Sequence, residues 1–408
     1  MKKLLTSFLL LIIIPLQGQI TISGHVFDVD QNPLEGASVY LNNTSIGVTT
    51  DTNGAFELEI KKGNHTLIVS YIGYETQQYA LNTSQLKRPL KFNLKVKNNL
   101  LDEVVIKKRQ RISNAKRKAL LRKFRKSFLG ESKFASTCKI LNEDVIEFDI
   151  DPKEKVTEVS ASEPLKIVHP SFGYIIYYDL KYFKLTPLSV SYFGYTKYDK
   201  IDGLEEREKE WERNRWKAYQ GSKMHFIRGV MRETSEYEGF TVDLIDRIPN
   251  PERPSYDEII AAEKFLKRHG GLQRNPYNSS NAQDLKIAEA QKTLERAKLP
   301  KYIDNLVEAD VSGIKYTVVD KENRIYIKTD HYLRVTYQKE KPDASYNTTE
   351  NSEKYQVSVL LLYTKAVEIL KSGIFKRPNH VFVEGYWAFE KVGDLLPLNY
   401  NSNANSGQ

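Results

Sequence analysis

"GVTTDTNGAFELEI", residues 47–60, decides the fold of the front of the chain. Gly47 to Thr50 form a short β-branched run, and Asp51, Asn53 and Gly54 interrupt it. Asn and Asp tolerate left-handed backbone and bond their own turn, while glycine takes positive φ without cost. After the turn, Phe56, Leu58 and Ile60 alternate with Glu57 and Glu59. A period of two puts one face in a core and the other in water. The stretch predicts strand, tight turn, strand. Asp51, Asn53 and Gly54 could also be imagined as calcium ligands, but an EF-hand loop needs more spaced oxygens and a distal Glu. Turn-building is the reading adopted.

The same pattern extends outward from Ile20 to Val96. "ITISGHVFD", "ASVYLNN", "HTLIVSYIGY" and "KFNLKV" are short β-rich runs, with Asn32-Pro33 and Glu35-Gly36 marking a connection. Short strands at this spacing predict an antiparallel sandwich.

"ISGHVFDVDQNPLEGASVYLNNTSIGVTTDTNGAFELEI" followed by "LIVSYIGYET" resembles the carboxypeptidase regulatory-like domain, over residues 20 to about 97. The resemblance implies a β-sandwich of transthyretin/prealbumin type, common in Bacteroidetes envelope proteins. It further implies an accessory unit of secreted peptidases and outer-membrane receptors, without catalytic residues. "LDEVVI", residues 101–106, resembles the segment of such receptors that is contacted by the energy-transducing protein TonB. The remaining residues lack the series of amphipathic ten-residue strands that a membrane barrel needs, so a linking strand is the simpler reading.

The totals bound the rest. A chain of 408 residues has room for two or three domains, and 40% apolar residues with 25 tyrosines can build real cores. One cysteine, Cys138, excludes an internal disulfide and a cysteine-based zinc site. At the start, Lys2 and Lys3 precede an apolar run from Leu4 to Leu16. That run is shorter than the roughly 20 residues of a membrane span and predicts a secretory signal peptide over residues 1–19.

The net charge of +9 is concentrated in one place: eleven Lys and Arg, and no acid, lie between Lys107 and Lys126. Taking away those eleven and the two lysines of the leader leaves −4 for everything else. Residues 112–129 predict a helix, because Ile112, Ala115, Leu120, Phe124 and Phe128 recur at helical spacing and Gly130 stands at the C-cap position. A basic amphipathic helix suits an anionic membrane surface or nucleic acid. For an exported protein the former partner is expected, with Lys116, Arg117, Arg122, Lys123 and Lys126 as the contact. A solvated helix docked on its own domain is the commoner arrangement for such a sequence, and the surface contact is set against it.

Beyond residue 130 strands and helices mix. "DVIEFDI", "KVTEVSA", "PLKIVH", "GYIIYYDLKYFKL" and "LSVSYFGY" predict strands; "LEEREKEWERNRWKAYQGSKMHFIRGVMRE", "SYDEIIAAEKFLKRHG" and "AQDLKIAEAQKTLERAK" predict helices. "GYIIYYDLKYF", "NRWKAYQGSKMHFIRGVM" and "GYWAFEKVGDLLPLNY" are similar to the region following the regulatory-like domain in a class of Bacteroidetes proteins without established activity. No His-Glu-x-x-His, His-x-x-Glu, Gly-x-Ser-x-Gly or phosphate-loop motif occurs, and the seven histidines are scattered. Cys138 sits between strand-like segments, as a buried small hydrophobe does. The densest polar-aromatic group is Arg213, Arg215, Trp216, Tyr219, Ser222, His225 and Arg228. On one helix Ser222, His225 and Arg228 could set a general base beside cations; a core helix with buried aromatics and a hydrogen-bonded histidine is the favoured reading.

The expected organisation is a signal peptide over 1–19, a β-sandwich over 20–97, and a linker strand with basic helix over 98–130. An α+β domain over 131–398 and a disordered tail over 399–408 complete it. The fold class is thus an N-terminal all-β antiparallel sandwich followed by α+β. The expected function is that of a non-catalytic exported envelope protein, periplasmic or outer-membrane associated, with a protein, a glycan or an anionic membrane surface as partner. Nucleic acid, a transmembrane span in the mature chain, cofactor, metal and catalytic residues are not expected. Alternatives are a hydrolase with its site near His225, or a component associated with TonB-dependent receptors.

Overall fold

A computed structural model describes residues 19–86, 89–97, 112–187, 189–269, 282–346 and 354–402. Contacts group the chain into two compact units, the first comprising residues up to Leu121 with Lys139–Gly203 and Pro397–Tyr400, the second Arg122–Cys138 with Leu204–Leu396 and the chain end. The expected leader over 1–19 falls outside the described residues except for Gln19; "LDEVVI" and Lys107–Arg111 fall outside altogether.

The first unit begins with seven strands: β1 (Gln19–Asp28), β2 (Ser38–Leu41), β3 (Gly47–Thr49), β4 (Ala55–Lys61), β5 (Asn64–Ser70), β6 (Gln77–Asn82) and β7 (Leu90–Leu94). They form two sheets, β4-β1-β7 and β3-β2-β5-β6. The ladders are antiparallel except that β7 runs parallel to β1. Between the sheets lies one core that includes Ile22, Val26, Val39, Phe56, Leu58, Leu67 and Phe92. Burial of each such side chain contributes roughly 1.5–3 kcal/mol.

The 47–60 stretch behaves as its sequence dictates. β4 alternates buried and exposed residues from Phe56 onward. Asp51 Oδ1 accepts the amides of Asn53 (2.9 Å) and Ala55 (2.8 Å), which closes the turn. Gly54 takes φ 71°, and a Cβ there would strike the Val26 carbonyl. The carboxylate is thereby engaged in its own turn.

The Lys139–Gly203 part of this unit is built on a six-stranded sheet. Its strands are β8 (Lys139–Ile140), β9 (Ile146–Asp151), β10 (Val156–Ala161), β11 (Leu165–His169), β12 (Tyr174–Leu185) and β13 (Val190–Lys200). The order is β8-β11-β12-β10-β9, with β13 also on β12. Residue Asn399, in the stretch expected to be a disordered tail, exchanges hydrogen bonds with Ser45 at 3.0 and 2.9 Å; residues 403–408 lie outside the described residues.

In chain order the longer helices are α1 (Asn114–Phe128), α2 (Glu205–Tyr219), α3 (Lys223–Arg232), α4 (Tyr256–His269) and α5 (Ala282–Arg296), with single turns at Gly313–Tyr316 and Tyr386–Phe389. The second unit adds β14 (Phe240–Pro249), β15 (Tyr302–Glu308), β16 (Thr317–Val319), β17 (Ile325–Lys328), β18 (Tyr332–Tyr337), β19 (Gln356–Leu362), β20 (Ala366–Leu370), β21 (Ile374–Phe375) and β22 (Val381–Gly385). The strands make a five-stranded sheet, β15-β14-β18-β19-β22, and a four-stranded sheet, β16-β17-β20-β21. Phe226, Ile227 and Val230 of α3 share a core with Val242, Leu333, Val335, Ile327 and Ile369 from the two sheets. α4 and α5 fill the connection between the paired strands β14 and β15 and bury their own small cluster around Leu266 and Ile287.

One sequence expectation needs correction. The run from Leu204 to Glu233 is two helices, α2 and α3, and not one continuous helix. Gly221 takes φ 71°, and the Ser222 hydroxyl caps α3 by accepting the His225 amide at 3.2 Å. Serine favours an N-cap and glycine a left-handed turn, and these local signals override the helical spacing of the aromatics.

Candidate functional site

The basic helix α1 is anchored by Phe124 and Phe128, both buried with rings stacked at 5.0 Å. A turn of 3.6 residues puts Arg122, Lys123 and Lys126 on the side away from those rings and Lys116 on its flank, and all four are exposed. The five predicted contact residues do not remain equivalent. Arg117 is half-buried and donates from its guanidinium to the carbonyls of Ile146 (3.0 Å) and Glu143 (2.9 Å). Lys126 pairs with Glu131 at 2.6 Å. Lys116, Arg122 and Lys123 make no ion pair among the described residues. Arg117 therefore ties the helix down, Lys126 is neutralised by Glu131, and Lys116, Arg122 and Lys123 present charge outward.

The polar-aromatic group expected on one helix is divided by the break at Gly221. His225 on α3 is only 3% exposed. Its Nδ1 accepts the Gly221 amide at 3.1 Å, and its Nε2 lies 3.0 Å from Glu238 Oε2. Rings of Tyr219, Phe240 and Tyr337 surround it at 4.7, 4.9 and 5.7 Å. Burial pulls the imidazole below its ordinary range, against the pull of Glu238. Glu238 itself is held at about 2: burial pushes it up, but the contacts of His225, Thr234 and Arg232 outweigh that. Trp387 Nε1 donates to the Gly221 carbonyl at 2.7 Å, so both backbone groups of this glycine are used. Arg228 is buried, 5.6 Å over Tyr219, with Nε bonded to the Ser372 carbonyl at 3.1 Å. These residues lock α2, α3 and the sheet together. Cys138 is likewise structural: burial pushes its thiol up to about 12, far from the thiolate that a nucleophile requires.

A site that sequence reading missed lies on the second unit's five-stranded sheet. Asp243, Arg334, Val359 and Glu384 stand opposite one another across β14, β18, β19 and β22. Arg334 donates from Nε (3.0 Å) and from a terminal nitrogen (2.8 Å) to Asp243 Oδ2. Arg247 of β14 forks onto Asp304 of β15 at 2.7 and 3.1 Å and also bonds Glu384 of β22. Strands β14 and β22 are three ladder steps apart, about 14 Å in a flat sheet. The Arg247–Glu384 bond closes across that span, which requires the sheet to curve around this face. The resulting cleft has a volume of about 800 Å³. The guanidinium of Arg247 also packs 5.2 Å from the Tyr302 ring and 6.0 Å from that of Tyr332. Strand alternation, with Asp243 beside buried Val242 and Leu244, was the sequence signal for this face. Nothing in the sequence announces the pairing of strands so distant in the chain.

Comparison with known proteins bears on the first unit. A family model described as the CarboxypepD_reg-like domain matches residues 22–106. The TonB-dependent receptor SusC of Bacteroides thetaiotaomicron is 36% identical over 88 residues, 22% of this chain and 8% of that receptor. The TonB-dependent receptor P39 of Formosa agariphila is 32% identical over 91 residues, again 22% and 8%. The chain thus spans a small part of the curated relatives it matches. A crystal structure of a Bacteroides fragilis protein of unknown function aligns over 90% of this chain and 94% of that one, at 12% identity and a TM-score of 0.16, which carries no argument about fold. The hairpin at 47–60, the seven-stranded sandwich and these matches agree: residues 22–106 are a CarboxypepD_reg-like domain, a module also present in TonB-dependent receptors.

Proposed function

We propose that this is an exported, non-catalytic cell-envelope protein whose N-terminal sandwich is an accessory binding or structural module, followed by a region of α+β character. The observation that carries the reading is the domain match over residues 22–106, in a fold whose turn carboxylate Asp51 is engaged by backbone amides. The basic leader and apolar run at Lys2–Leu16 support export, and no described helix is long and apolar enough to cross a membrane. The exposed face of α1 supports an anionic surface as partner through Lys116, Arg122 and Lys123, with Arg117 serving to seat the helix and Lys126 paired to Glu131. Charge reversal at Lys116, Arg122 and Lys123 tests this: co-sedimentation with vesicles containing phosphatidylglycerol should be lost while the thermal transition is retained. Unchanged sedimentation makes the helix purely structural.

A second reading is favoured by one observation, that both relatives are named TonB-dependent receptors. Under it the protein associates with such a receptor in the envelope. Cross-linking in intact cells followed by identification of the partner distinguishes the two, since a lone structural protein yields no receptor adduct.

A further inference from the structure

We propose that the concave face of the five-stranded sheet binds an acidic oligosaccharide, one built of uronic-acid residues. The inference rests on the second unit alone and is independent of the role assigned to the N-terminal domain. The floor of the cleft is made of paired charges, Arg247 with Asp304 and Glu384, and Arg334 with Asp243. A simple anion gains little there, because it must compete with carboxylates already fixed on both guanidinium groups. Hydroxyl groups suit such a floor, since each can accept from a guanidinium and donate to a carboxylate without breaking the pair.

Two lysines at the cleft carry the remaining charge. Lys301 and Lys354 are exposed and make no ion pair among the described residues. Their Nζ atoms lie 5.0 Å and 5.3 Å from the rings of Tyr302 and Tyr355. Each Lys-Tyr pair thus sets an unneutralised ammonium over a ring face, the Tyr302 ring being shared with Arg247. A pyranose ring offers C–H groups to such a face, and a carboxylate on it would reach the ammonium. Counting the side chains named, four cations face three carboxylates in this cleft, an excess that a uronate would neutralise. A neutral sugar would leave both lysines unused, and an acidic peptide would not use the hydroxyl-matched floor.

The test is isothermal titration of the purified full mature chain with hexasaccharides of polygalacturonate, alginate and chondroitin, with maltohexaose and sodium sulfate as comparison probes. At least one uronate probe should bind at low ionic strength, more tightly than maltohexaose and sulfate. Lys301→Gln with Lys354→Gln should weaken it at least about tenfold, as should Tyr302→Ala with Tyr355→Ala. The lysine variant should keep the thermal transition, because the glutamines alter only exposed termini, and it is the one that separates lost binding from lost folding. Charge reversal on α1 should leave uronate binding unchanged. The proposal is overturned if no uronate probe binds, if sulfate or maltohexaose binds as well, or if binding survives both cleft variants. It is also overturned if only the α1 reversal abolishes binding.

Discussion

His225 and Glu238 show how single side chains set the behaviour of the second unit. Burial depresses the imidazole, so the folded state resists the proton that the unfolded chain takes up as pH falls below about 6.5. The Glu238 carboxylate, at about 2, adds stability present above its ordinary range and lost as pH falls through about 2. Asp394 has the opposite sign. Burial pushes it up to about 6, against the Ser132 hydroxyl and the Lys391 amide that it accepts. Its folded form therefore takes up a proton before the unfolded chain does, so its contribution is fully present below the unfolded value and is lost as pH rises through about 6. Glu390, also pushed well up by burial, acts in the same direction. Replacing Asp394 by alanine should cost about 1–3 kcal/mol near pH 5, because the Ser132 hydroxyl and Lys391 amide are left buried without it. Chemical denaturation at pH 5 and pH 7.5 checks the sign: the penalty should shrink at the higher pH. His225→Ala should lower stability by roughly 2–3 kcal/mol through lost packing and a stranded Glu238. A substitution that leaves the melting curve untouched would point to a chemical role instead.

At the scale of elements, the break between α2 and α3 is the feature most sensitive to a small change. Gly221→Ala places a methyl against the side chains of Gln356 and Tyr337 on a backbone with φ 71°. A loss of about 1–3 kcal/mol is expected, from left-handed strain and crowding together; a thermal shift measurement decides it. The sequence made some elements plain and hid others, for identifiable reasons. The 47–60 hairpin was readable because turn chemistry and alternation are local. The strands from Ile146 to Lys200 were readable for the same reason. The α2–α3 break was written in Gln220-Gly221-Ser222 and was masked by aromatics that keep helical spacing across it. The Arg247–Asp304–Glu384 belt joins residues 137 positions apart at its longest, and pairing at that distance leaves no local pattern. On α1 the charged face was evident, but only the fold shows that Arg117 spends its guanidinium on two carbonyls.

For the whole molecule, the sandwich is the part with a shared identity, and it closes its own core through Ile22, Val39, Phe56, Leu58 and Phe92. A fragment of residues 19–97 should therefore unfold cooperatively, though a domain of about 80 residues has little stability to spare. Circular dichroism melting of that fragment checks the point, and a featureless melt counts against independent folding. The central claim is that the chain is carried to the cell envelope, where this module acts without chemistry of its own. The most direct measurement is fractionation of the native cell followed by N-terminal sequencing of the recovered protein. The account predicts recovery in the envelope fraction with a mature N-terminus near Gly18 or Gln19. Recovery from the cytosol of a chain still beginning at Met1 would contradict it.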